Sequence, residues 1–117
     1  MQRIPVVVFN NIQLTTAVAG ATSPVPDATT LLTISAATIN NTTPGAVTMD
    51  AYIVPSGGTA GAANQVISAL SIPAAGAAPT ILAGLIGQTV PAGGTLQLKA
   101  SAATSLTPFV SGYRTTL

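Results

Sequence analysis

The chain has 117 residues and a mass of 11.4 kDa, so one domain is expected. Charged residues are 4% of it, against about 25% in an ordinary soluble domain, and His, Cys, Trp and Glu are absent. General acid–base chemistry, an activated nucleophile, a zinc cage and a disulfide framework all need residues this chain lacks, so no catalytic, cofactor or metal site is expected.

The charge inventory is Arg3, Asp27, Asp50, Lys99 and Arg114, for a net +1. Three scattered cations make no phosphate-binding patch, so nucleic acid is not an expected partner. Disorder is excluded by the opposite argument: 48% of the residues are hydrophobic and the mean hydropathy is +0.62. A folded chain of this mass exposes about 5,800 Å², or one charge per roughly 1,100 Å². Isolated domains stay soluble through dense mixed charge. A surface of Thr, Ser, Asn, Gln and small apolar residues loses little solvation on contact, so the composition is that of a subunit within an assembly.

In chain order, Ile4 to Phe9 is apolar but contains Pro5 and is too short for a signal peptide's core. Val6–Phe9 and Ile12–Val18 read as strands, and Asn10–Asn11 between them as a tight hairpin. Ala19 to Thr30, with Pro24 and Pro26, has no periodicity. Residues 1–30 are therefore read as a hairpin and extended segment packing on the domain or on a neighbour, and residues 31–117 as the domain itself. Leu32 to Ile39 alternates, slipping by one at Ala36–Ala37, which predicts a bulge. Asn40 to Gly45 is a turn by composition, which also explains the two Asn-X-Thr sequons better than glycans do.

Val47 to Val54 alternates cleanly, with Val47, Met49, Ala51 and Ile53 on one face and Thr48, Asp50 and Tyr52 on the other. Pro55 to Gly61 is a flexible loop. Gln65–Ile72 is a further strand. Thr80 to Ile86 is the one place for a short helical turn. The apolar window Val66–Val90 is interrupted by Pro73 and Pro79, so no membrane span is expected. Thr95 to Ala100 alternates with Leu96 and Leu98 inward, and Leu106–Tyr113 completes the set. About seven strands separated by Gly/Pro turns predict an all-β fold: an antiparallel β-sandwich, jelly-roll or Ig-like, with at most one short helical turn.

Several residues invite a chemical reading. Gly57-Gly58-Thr59-Ala60-Gly61 lacks the Lys and the following helix of a phosphate loop, and reads as a surface loop. Asp27 and Asp50 lack a third acid for a hard-metal site. Asp27 reads as a solvated turn residue and Asp50 as an outward strand residue able to pair with Lys99. Tyr52 and Tyr113 make a thin platform for a sugar; subunit contact or the edge of the core suits them better.

A group of turn and strand signatures covers about two-thirds of the chain. They are Ile39-Asn40-Asn41-Thr42-Thr43, Val47 to Gly58, Ala63-Asn64-Gln65-Val66-Ile67-Ser68-Ala69, Leu85-Ile86-Gly87, Pro91 to Gln97 and Ser111-Gly112. With these, the sequence resembles small all-β virion structural proteins of tailed bacteriophages. The resemblance implies a non-enzymatic component of the particle, a head decoration or cement protein, assembled in the host bacterial cytoplasm. Its implied partners are further copies of itself and the major capsid protein or other virion proteins. A tail, fibre or head–tail joining component with an adhesive role is the alternative.

Overall fold

The computed structural model describes residues 3–17 and 29–116. Eight strands make two antiparallel sheets packed face to face, and the described residues contain one 3-10 turn, Ala62–Asn64, and no α-helix. The strands are β1 (Arg3–Phe9), β2 (Thr30–Asn41), β3 (Val47–Val54), β4 (Gln65–Ile72), β5 (Thr80–Ile81), β6 (Thr89–Val90), β7 (Thr95–Ala100) and β8 (Leu106–Thr116). The larger sheet has the order β1-β8-β2-β5, with β6 also on β2; the smaller has the order β4-β3-β7. The β-sandwich read from the sequence is the fold, with one strand more than expected.

The core follows from period-2 alternation on both sheets. Leu32, Ile34, Ala37 and Ile39 of β2 and Leu106 and Val110 of β8 face Val47, Met49 and Ala51 of β3 and Leu96, Leu98 and Ala100 of β7. Of the six core residues expected on β3 and β7, five are buried; Ile53 is only partly so, packed against the cluster. Tyr52, expected outward, is 8% exposed. It pairs with Gln65, whose amide nitrogen lies 3.5 Å from the phenol oxygen, and the 3-10 turn packs on this end of β3. The connection after β3 thus covers the outer side of the strand, which alternation alone does not reveal.

The structure alters four local expectations. Residues 12–17 form no strand. They make two isolated main-chain bonds to the sheets, Leu14 N–H to the Leu106 carbonyl (2.9 Å) and Ala100 N–H to the Thr15 carbonyl (2.9 Å), one to each sheet. Leu14 is fully buried, so this segment plugs the end of the sandwich. No hairpin forms at Asn10–Asn11: Asn11 takes φ 53°, but β1 pairs with β8. The bulge in β2 falls between Ile34 and Ala36, just before its expected place, and leaves Ser35 unpaired. The helical turn is at Ala62–Asn64 and not at 80–86, where β5 is followed by turns around Leu82 and Leu85. Residues 18–28, with most of the aperiodic stretch and Asp27, lie outside the described residues.

Two residues permit this arrangement. Gly112 sits in β8 between Val6 and Ile34, and a Cβ there would collide with the Thr33 carbonyl oxygen. Asn41 is buried and fully bonded. Its amide donates to the carbonyls of Gly45 (2.7 Å) and Ile72 (3.3 Å), and its carbonyl accepts from Thr43 N–H (2.9 Å) and Thr43 Oγ1 (2.7 Å). It is the turn residue that the sequence suggests.

Candidate functional site

The outer face of the five-stranded sheet gathers several of the exposed large apolar side chains of the described residues. Its makeup follows from the alternation of β8. Leu106, Pro108, Val110 and Gly112 are buried, so Thr107, Phe109, Ser111 and Tyr113 point away from the core. Pro108 fits because β1 ends opposite Val110, leaving the β1 side of β8 vacant at that point. Registered neighbours extend these positions into cross-strand rows. Ile81, Thr38 and Phe109 form one row; Ala36, Ser111 and Val7 the next; Thr33, Tyr113 and Pro5 the third.

Large apolar side chains stand exposed on this face: Ile81 is 63% accessible, Val7 56% and Phe109 46%. Beside Val7 and Phe109 lies an open depression of about 310 Å³, lined also by Phe9, Asn10, Asn11, Val110 and Ser111. It forms where β1 bulges between Val7 and Phe9. Among the described residues the only charge at this face is Arg3, at one end, with its guanidinium carbon 4.8 Å from the Tyr113 ring centre. That stacking draws the cation onto an aromatic face. Arg114 pairs with buried Leu32 and so shares the opposite parity.

The smaller sheet carries the other described charges. Lys99 Nζ lies 3.9 Å from Asp50 Oδ2, the ion pair suggested by the sequence. Asp50 does more than pair. Its Oδ1 accepts the Ala69 N–H at 2.8 Å and the Gln65 amide at 3.0 Å. Met49 faces Leu70 and Ala51 faces Ile67, so Asp50 alone opposes Ser68 and Ala69. Ala69 has φ 49°, and the carboxylate holds this bulge in place.

The remaining candidates are not brought together. Tyr52 lies on the smaller sheet and Tyr113 on the larger, so they form no common platform. The glycine-rich loop closes on itself: Gly58 N–H donates to Pro55 O (2.9 Å), Gly61 N–H to Asn64 Oδ1 (3.0 Å) and Asn64 Nδ2 to Thr59 O (2.9 Å). Those donors are committed and cannot cradle an anion. Among the described residues no three His, Cys, Asp or Glu side chains approach one another as metal ligands would. Among the described residues no helix is long and apolar enough to cross a membrane. Comparison with protein-family models, with curated proteins and with solved structures found no match.

Sequence reasoning did not single out the outer sheet face. The signal available was the alternation through Thr107, Phe109, Ser111 and Tyr113. It becomes informative only when Val7 and Ile81, distant in sequence, are known to lie beside it.

Proposed function

We propose that this chain is a non-enzymatic structural component of a bacteriophage particle, of the head-decoration or cement kind. The observation that carries the reading is an almost uncharged sheet face on which Val7, Ile81 and Phe109 stand exposed. Exposed apolar surface of this breadth marks an interaction site. The resemblance of the turn and strand signatures to virion proteins supplies the setting. The mechanism is adhesive: a subunit that binds only the assembled shell stabilises that state by mass action, with no chemistry required. Its partners are other copies of itself and the shell protein, and its place is the virion.

Quantifying the protein in purified particles tests this reading. A decoration protein is present in hundreds of copies and appears across the head in an averaged particle image. A few to tens of copies at the tail would replace it with the joining or fibre role, and absence from particles would end it.

A further inference from the structure

We infer that the outer face of the five-stranded sheet is the contact between two copies of this chain, stacked face to face about a two-fold axis near Val7, Ser111 and Phe109. The inference rests on the reading of this face as an interface between assembled subunits, and adds the occupant.

Three observations select a second copy. The face is about four strands wide, β1, β8, β2 and the β5/β6 edge, and its strands average about nine residues. At about 3.3 Å per residue and about 4.8 Å per strand it measures about 30 by 19 Å, or roughly 570 Å² per copy. Two copies would bury about 1,100 Å² together, above the roughly 1,000 Å² that a specific interface needs and at the low end of its range. A reversible dimer is therefore expected.

Charge gives the second argument. The described acid, Asp50, is engaged with Lys99 and Ala69 on the other sheet, so this face offers nothing to a basic partner. Arg3 lies at one end, stacked on Tyr113, and a two-fold axis through the centre sends the two Arg3 side chains to opposite ends. An uncharged centre meets its own copy without repulsion.

The third argument is shape. Phe109 and Val7 line an open depression, and in an isologous stack each copy offers both a projecting ring and a hollow to receive one.

The full chain should be examined by sedimentation velocity from the low to the high micromolar range. Phe109→Asp and Val7→Asp each place a carboxylate at an exposed position on the face, and Ser71→Asp places one on exposed β4 of the other sheet. The expected result is a concentration-dependent dimer for the unmodified chain and Ser71→Asp, and at least tenfold weaker association for the two face variants, with melting temperatures near that of the parent. Two variants guard against misfolding of either one. A monomer at all concentrations, or a dimer indifferent to both face substitutions, overturns the inference. A monomer that still needs Phe109 to be retained on particles shows that another virion protein occupies the face. That outcome refutes the second-copy assignment while leaving the structural-protein reading intact.

Discussion

Asp50 and Ala69 face each other across β3 and β4, the carboxylate accepting the Ala69 main-chain N–H at 2.8 Å. Asp50 therefore has two roles of unequal weight. The bond to Ala69 fixes a residue held at φ 49°, whereas the contact with Lys99 is long, at 3.9 Å, and the lysine is 35% exposed. Asp50→Ala is expected to cost about 1–3 kcal/mol, the range for leaving a hydrogen-bonding group unmatched. Lys99→Ala should cost less than about 1 kcal/mol. Urea unfolding of both variants checks this; equal losses would mean that the ion pair, and not the bulge clamp, carries the stability.

Gly112 should tolerate no side chain. A methyl group there meets the Thr33 main chain, which cannot rotate away. Gly112→Ala should force β8 from β2 and cost about 3 kcal/mol, the upper part of the overpacking range. Thermal unfolding within about 0.5 kcal/mol of the parent would show that the two strands can separate slightly at no penalty.

The core positions of β3 and β7 should not behave alike. Leu98 is fully buried and Ile53 is partly exposed, although both lie on the inward face. Leu98→Ala is expected to cost about 3–5 kcal/mol, and Ile53→Ala about 1–2 kcal/mol because less surface is lost and solvent can fill part of the space. Denaturant midpoints measured at constant slope separate the two cases, and a reversed order would contradict the packing described.

The edge strand β1 offers a further check. Among the described strands only β8 pairs with it, and Pro5 removes one main-chain donor from the edge. Pro5→Val restores that donor and adds a strand-forming side chain. Light scattering of the concentrated variant should rise above that of the parent, while an unchanged signal would show that Pro5 is not what protects the edge.

The sandwich is legible in the sequence because its longer strands alternate with period 2. Val47 to Ala51 and Leu96 to Ala100 show this most clearly. Legibility fails where tertiary contacts override local pattern. Tyr52 looks outward until the connection leading to Gln65 is seen to cover it. Ile12, Leu14 and Thr16 alternate as a strand would, yet only Leu14 enters the core, because the segment bridges two sheets and joins neither ladder. β5 and β6 are two residues each, too short to carry a period. The outer face was the least accessible, since Ile81, Phe109 and Val7 come from three separate strands. The scarcity of charge predicts a weakly charged surface but no exposed Ile81, Phe109 or Val7; pairing register was needed to place these three on one face.

Retention on purified particles across a sodium chloride series tests the adhesive mechanism most directly. At 1 M salt the Debye length falls to about 3 Å, which disables an interface held by exposed charges. Attachment through apolar and main-chain contacts should survive unchanged, and sulfate should strengthen it by favouring apolar burial. Steep release between about 0.1 and 1 M would show that Arg3, Lys99 or Arg114 holds the subunit in place, and would contradict adhesion by an uncharged surface.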